Sequence, residues 1–269
     1  MFSIRSAPDR LTLVNAALLL VVAGGAWAGV VTQATSMRDM GGGAAMGSLA
    51  PAVMPPVLDL AGLGAFVLAW LVMMAAMMLP SAMPMVLLYR TVARGQAAHG
   101  RAFVPTWVFV LSYMLVWTGF GVLVYLASQL VTLALASSTT LAAWMPYGVA
   151  AVLLIAGSYQ FTPLKRACLR ACQSPLAFLL RHWQPGPIGA VRMGVKHGIY
   201  CCSCCWGLMA VLVAAGAMGL AWVVVVALAV FAEKLLSRGQ WAAWGTGVLL
   251  IALAVLVALQ PSVAMLVRA

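Results

Sequence analysis

The chain has 269 residues, of which 65% are hydrophobic and only 7% are charged. A soluble domain carries about a quarter charged residues, so 15 basic and 4 acidic side chains cannot cover a water-soluble surface. This composition excludes a cytosolic enzyme, a secreted disulfide scaffold and a Rossmann-type domain. The net charge of +11 does not indicate nucleic-acid binding, because the basic residues lie between apolar segments.

Long apolar runs predict an all-α, polytopic membrane helix bundle with the lipid bilayer as its solvent. Seven candidate transmembrane helices lie at 11–31, 60–89, 105–127, 145–161, 197–218, 220–236 and 244–259. The first run reaches spanning length without a clear cleavage pattern after it, which favours a retained helix over a signal peptide. The sixth helix follows the fifth almost without a loop, so a re-entrant hairpin over 197–236 is an alternative. Residues 1–269 are predicted to form a single membrane domain.

The distribution of Lys and Arg predicts the orientation of these helices. With the N-terminus in the cytoplasm, thirteen of the 15 cations lie inside, and only Arg38 and Arg268 lie outside. The inner cations are Arg5, Arg10, Arg90, Arg94, Arg101, Lys165, Arg166, Arg170, Arg181, Arg192, Lys196, Lys234 and Arg238. The positive-inside rule therefore predicts an N-terminus inside, a C-terminus outside and an inner basic connection over 162–196.

Two segments are rich in methionine. The outer segment 32–58 combines methionines with a glycine triplet and prolines, which predicts a mobile loop. On the second helix, Met73 with Met77, and Met74 with Met78, are i,i+4 pairs that share one broad face beside Pro80. Thioethers bind soft cations such as Cu(I) without deprotonation. The alternative is that these methionines are flexible apolar fillers around a proline kink.

The six cysteines all lie between residues 168 and 205. His197, Cys201 and Cys204 stand at i, i+4 and i+7 of the fifth helix and share one face, which Cys205 flanks and from which Cys202 points away. Cys168 and Cys172 form a second i,i+4 pair on the inner connection. Thiolates with an imidazole suit Cu(I), Zn(II) or an iron–sulfur centre. Small buried apolar cysteines, or a redox dithiol at one of the two C-x-x-C pairs, are the alternatives.

Glu233 is an acidic residue near the inner end of the predicted sixth helix. A carboxylate at this depth is a candidate metal ligand, a support for the cysteine cluster or a proton acceptor. Lys234 follows it directly, but adjacent residues on a helix do not face each other. An interfacial pair whose polar ends reach the membrane surface is the alternative.

Three stretches resemble the bacterial family named domain of unknown function 2182, whose members are described as metal-binding integral membrane proteins. They are 70–81 (WLVMMAAMMLPS), 159–165 (YQFTPLK) followed by Cys168 and Cys172, and 194–209 (GVKHGIYCCSCCWGLM) followed by Glu233 and Lys234. The resemblance covers roughly residues 60 to 240. It implies a multi-pass metal protein of the bacterial inner membrane, without a known activity.

Together these features favour a protein that handles a soft metal, with copper expected first and zinc or iron as alternatives. Neutral thioethers on the outer side and thiols on the inner side predict an affinity that rises inwards. Such a protein takes up copper or delivers it to a copper-receiving membrane protein. An integral-membrane metalloenzyme and a membrane thiol oxidoreductase are the competing hypotheses.

Overall fold

The computed structural model describes residues 10–39, 60–99, 104–215 and 220–264, and within these ranges it contains helices and no strands. The ten helices are α1 Arg10–Asp39, α2 Leu60–Ala98, α3 Thr106–Ser137, α4 Thr139–Ala143, α5 Met145–Tyr159, α6 Pro163–Gln173, α7 Pro175–His182, α8 Gly186–Ala214, α9 Leu220–Leu235 and α10 Gly239–Leu259. The predicted all-α class is therefore confirmed.

Five of the described helices are long and apolar enough to cross a membrane. These segments are Leu13–Thr35, Leu60–Ala98, Thr106–Ser137, Gly186–Ala214 and Gly239–Leu259. The pair α5 and α6 gives a sixth candidate, which is bent by 66° at its break. The remaining predicted span corresponds to α9, which has 16 residues. The number of seven spans and the orientation stay predictions.

Large apolar side chains cover the outside of this bundle. Leu18 on α1, Leu123 on α3 and Leu249 on α10 are exposed, together with many other leucines and valines. In water such a surface would be unfavourable, whereas lipid solvates it. The outer surface agrees with a membrane bundle whose polar residues lie inside.

Glycines allow α3 and α8 to approach closely. A Cβ at Gly194 would lie 2.5 Å from the Phe109 carbonyl oxygen, and one at Gly198 would lie 2.8 Å from the Val116 side chain. Small residues at helix contacts are the usual means of close packing in membranes. This contact brings the cysteine-bearing part of α8 against the aromatic face of α3.

The bend between α5 and α6 has a local cause. The Thr162 side chain accepts a hydrogen bond from the Lys165 backbone N–H, and Pro163 occupies the first turn of α6, where its missing N–H costs little. The chain therefore stops one helix and starts the next within three residues. As a result, α6 packs against α8 and α9 and carries its polar and cysteine side chains inwards.

Several predicted boundaries were wrong. Residues 32–39 continue α1, because the glycine triplet and the prolines of the predicted outer loop come after them in the sequence, and the rest of that loop lies outside the described residues. The predicted inner connection 162–196 holds α6, α7 and the first turns of α8. The second and third helices extend to Ala98 and Ser137, past the apolar runs from which they were predicted.

Candidate metal centre

The cysteine-bearing face of α8 points into the bundle. His197, Cys201, Cys204 and Cys205 are all buried, whereas Cys202 is only partly buried. This is the pattern expected from the i, i+4, i+7 spacing. All six cysteines are free thiols in the structure.

Sulfur atoms from two helices meet at this face. Cys204 Sγ lies 3.9 Å from Cys172 Sγ of α6, and Cys168 of α6 is buried in the same apolar cluster. The thiols of Cys204 and Cys205 donate to the Cys201 carbonyl oxygen at 3.1 and 2.9 Å. The predicted second cysteine pair therefore does lie beside the first group.

The methionines of α2 belong to the same buried cluster as the cysteines of α8. Met73, Met74, Met77 and Met78 are all nearly inaccessible, and the cluster also includes Cys201, Cys204 and Cys205. Thioethers and thiols thus share one interior. The sequence predicted both groups but did not predict that they meet.

Lys234 joins these two groups directly. Its Nζ donates to Cys201 Sγ at 3.1 Å and lies 3.5 Å from both Met78 Sδ and Ser81 Oγ. The residue was predicted as a cytoplasmic topology signal, but it is only 7% exposed. Its aliphatic chain lies in the bundle, and its ammonium group contacts sulfur.

Glu233 faces a different part of the interior. Its carboxylate forms an ion pair of 2.5 Å with Lys165, and its other oxygen accepts from Gln160 Nε2 at 2.9 Å. Lys165 Nζ also donates to the Cys204 carbonyl oxygen. The alternative of an interfacial Glu233–Lys234 pair was wrong, because both side chains are buried and have different partners.

His197 lies among aromatic rings. The ring centroids of Phe178 and Tyr113 are 5.3 and 5.6 Å from that of His197, and no hydrogen-bond partner of its Nδ1 lies in the described ranges. The Tyr113 hydroxyl group lies 3.1 Å from Cys201 Sγ. A buried imidazole with an unpaired nitrogen therefore lies next to the cysteine that contacts Lys234.

Within the described residues, no group of three or more His, Cys, Asp or Glu side chains is placed to hold one metal ion. The cysteine sulfur atoms are close neighbours, but among the described residues no three of these side chains meet at one point. The methionines of α2 were predicted as a second kind of sulfur donor. One of them, Met78, contacts the same Lys234 ammonium group as Cys201 does. Sulfur donors of this kind suit soft metal ions such as Cu(I).

Residues 67–257 match a family of copper chaperones named PpoB2. The chain belongs to this family. The matched range contains every candidate metal-binding residue described above, and it supports the predicted relation to copper. The match does not name the domain-of-unknown-function 2182 family that the motifs resemble. No curated protein and no solved structure matches the chain.

The sequence of this member of the copper chaperone family did not lead us to predict that four polar residues lie in the interior of the bundle. Lys165 and Lys234 were counted as loop cations, and Gln160 and Tyr113 were not singled out as partners. A signal was present, because Gln160, Lys165 and Lys234 all lie in the stretches that carry the family resemblance. A lysine inside a motif is better interpreted as part of a site than as part of a loop.

Proposed function

We propose that the protein is a multi-pass copper chaperone of the bacterial inner membrane, which binds Cu(I) and passes it to a copper-receiving membrane protein. The observation that carries this proposal is the single buried cluster formed by the α2 methionines and the α8 cysteines. A protein that only needed an apolar core would not require two kinds of sulfur side chain in contact with one ammonium group.

The two kinds of sulfur have complementary chemistry. The thioethers of Met73, Met74, Met77 and Met78 bind Cu(I) without losing a proton, so they capture the ion weakly and at any physiological pH. Cys201, Cys204 and Cys205 bind the ion as thiolates, which hold it more strongly than thioethers do. An ion that enters among the methionines therefore gains affinity as it moves towards the cysteines.

The cysteines of α6 and the histidine extend this donor set. Cys172 lies close enough to Cys204 for both sulfur atoms to bind one ion after a small movement. Cys168, on the same helix, is a further candidate ligand. His197 offers an unpaired nitrogen next to Cys201. We assign Glu233 a supporting role, because Lys165 and Gln160 already bind its oxygens and Lys165 connects it to the Cys204 backbone.

Copper fits these donors better than zinc does. Structural zinc usually has four nitrogen or thiolate ligands in a tetrahedron, and thioethers are poor partners for it. Thioether and thiolate sulfur together are the donors that select Cu(I).

The test is Cu(I) titration of the detergent-solubilised protein under anaerobic conditions, with a chromophoric Cu(I) chelator as competitor. Wild type is expected to withdraw copper from the chelator and to show a sulfur-dominated shell by X-ray absorption at the copper edge. Cys201→Ser and Cys204→Ser should each weaken binding at least about tenfold, which corresponds to about 1.4 kcal/mol. Cys202→Ser is the matched control, because Cys202 lies off the buried face.

The other outcomes separate the competing functions. One tightly held ion that the chelator cannot remove would favour a membrane metalloenzyme. A reversible Cys172–Cys204 disulfide without any bound copper would favour a thiol oxidoreductase. Either result would contradict the chaperone proposal, for which copper must be bound and exchangeable.

A further inference from the structure

Three helices contact one nitrogen atom within the buried group of sulfur side chains, which we call the sulfur cluster: Met73, Met74, Met77, Met78, Cys201, Cys204 and Cys205. The Nζ of Lys234, from the last turn of α9, contacts Cys201 Sγ of α8 and both Met78 Sδ and Ser81 Oγ of α2. A positive charge therefore lies between a thiol sulfur and a thioether sulfur. This is the place in the described structure where the two donor classes approach the same point.

The charge on Lys234 has an unusual set of partners. A buried ammonium group normally pairs with a carboxylate, because an isolated charge is costly in an apolar interior. The neighbouring carboxylate of Glu233 binds Lys165 instead, and among the described residues no carboxylate lies within ion-pair distance of Lys234. Sulfur and hydroxyl groups are thus its partners, and an ionised Cys201 is the one that would balance its charge.

We propose that the Lys234 ammonium group is a displaceable place-holder for copper, occupying the position that Cu(I) takes between Cys201 Sγ and Met78 Sδ. This inference rests on the proposed function and identifies a specific site within it. When Cu(I) arrives, the ion takes over both sulfur contacts and the ammonium group leaves. When copper departs, Lys234 returns and neutralises the thiolate.

The distances are compatible with this exchange. A metal–thiolate bond is about 2.3 Å long, whereas the two sulfurs lie 3.1 and 3.5 Å from the lysine nitrogen. Each sulfur therefore has to approach the central point by about 1 Å. Methionine has three rotatable side-chain bonds and no branching, so Met78 can make this movement without a shift of the backbone.

The ammonium group lies close to the end of its helix. Lys234 lies in the last turn of α9, one residue before the helix ends at Leu235. A lysine near a helix end can extend its four-carbon chain towards the membrane surface. Rotation of the Lys234 side chain would then free the site.

Competition of this kind sets the affinity of the site. A ligand that must displace a resident group binds with an apparent affinity reduced by the fraction of protein in the open state. The copper remains exchangeable, which a chaperone requires and a structural metal site does not.

The test compares the Cu(I) dissociation constants of wild type, Lys234→Leu and Lys234→Arg by chelator competition. Removal of the ammonium group in Lys234→Leu should tighten Cu(I) binding at least about tenfold. Lys234→Arg keeps a cation at the site and should not show this gain. Unchanged or weaker binding by a folded Lys234→Leu protein would overturn the place-holder role.

The gain must also depend on the two sulfurs. Adding Cys201→Ser or Met78→Leu to the Lys234→Leu protein should abolish the tighter binding. A gain that survives both additions would mean that Lys234 acts on some other copper site, and it would also refute the inference.

A second measurement uses the wild-type protein and does not depend on how the variants fold. An amine-acylating reagent is applied with and without Ag(I), a redox-inert analogue of Cu(I), and modification of each lysine is read by mass spectrometry. Lys234 should become more reactive when Ag(I) is bound, while Lys165, held by Glu233, should not change. Equal Lys234 labelling in both conditions would contradict displacement.

The two proposals fail in distinguishable ways. If wild type binds neither Cu(I) nor Ag(I), the proposed function and the place-holder role are both refuted. If wild type binds Cu(I) through Cys201 but neither Lys234 result appears, only the place-holder role is refuted.

Discussion

Lys165 and Glu233 form a buried ion pair of 2.5 Å between α6 and α9, and the side chain of each is only 1% exposed. Gln160 Nε2 donates a hydrogen bond to the other carboxylate oxygen of Glu233, and Gln173 Nε2 donates to the Glu233 backbone oxygen at 2.6 Å. Because Lys165 also binds the Cys204 carbonyl oxygen, this pair connects two helices to the cysteine-bearing part of α8. The pair therefore holds the backbone of the helix that carries the candidate sulfur ligands.

Breaking this pair on one side should destabilise the protein strongly. Glu233→Gln keeps the shape of the side chain but leaves the Lys165 ammonium group buried without a counter-charge. The expected loss is about 3–5 kcal/mol in the free energy of unfolding, measured by denaturant titration in detergent. Arg192→Gln is the matched control, because Arg192 is exposed and its loss should have almost no effect.

A double variant tests whether the pair acts as a unit. Lys165→Met combined with Glu233→Gln removes both charges, so it should cost clearly less than the sum of the two single losses. Additive losses would show that each residue is important for a separate reason.

The close contact of α3 with α8 gives a second prediction. A methyl group at Gly194 would collide with the Phe109 backbone and the Ser112 side chain, so Gly194→Ala should lower the free energy of unfolding by about 1–3 kcal/mol. Gly119→Ala is the control, because a Cβ at Gly119 meets nothing within 4 Å. Thermal unfolding in detergent measures both variants. An equal unfolding midpoint for both would contradict the close packing.

The general architecture was predictable because it follows from composition. Apolar runs of spanning length require helices in lipid, since each backbone N–H must be satisfied within its own segment. The buried face of α8 was also predictable, because helical geometry alone places His197, Cys201 and Cys204 on one side. Both features depend on residues that are close together in the sequence.

The polar interior was not predictable in the same way. Whether a lysine faces water or lies buried depends on its partner, and the partner of Lys165 is 68 residues away. Lys234 contacts Met78 across 156 residues, so no local pattern identifies their meeting. The contact between the methionine and cysteine groups is likewise a property of how α2, α8 and α9 pack.

The orientation is tested with reporters fused at two positions. A reporter after Ala269 should be active in the periplasm, and one inserted between residues 170 and 192 should be active in the cytoplasm. The physical basis is the excess of Lys and Arg in the inner connections. This excess remains even when the buried Lys165 and Lys234 are left out, because most of the inner cations are other residues. A cytoplasmic C-terminus would indicate an even number of spans, as in the six-span interpretation.

The route of copper through the methionines gives the last prediction. Met73 lines a small cavity between α1, α2 and α9 together with Val30, Phe66 and Val223, while Met78 lies at Lys234. If thioethers guide the ion inwards, Met73→Leu with Met77→Leu should slow Cu(I) loading in stopped-flow measurements but leave the final copper content unchanged. Leu has a similar volume, so packing should cost less than about 1.5 kcal/mol per site.

The control for this route is a methionine on the same helix but outside the sulfur cluster. Met85 is buried in the second apolar cluster with Tyr89 and Phe109, so Met85→Leu should load at the wild-type rate. Loading by the Met73→Leu, Met77→Leu protein at the wild-type rate would refute the guiding role, because removal of two thioethers then has no kinetic effect. Loss of the bound copper itself would instead make Met73 and Met77 ligands of the main site, together with Met78 and the α8 cysteines.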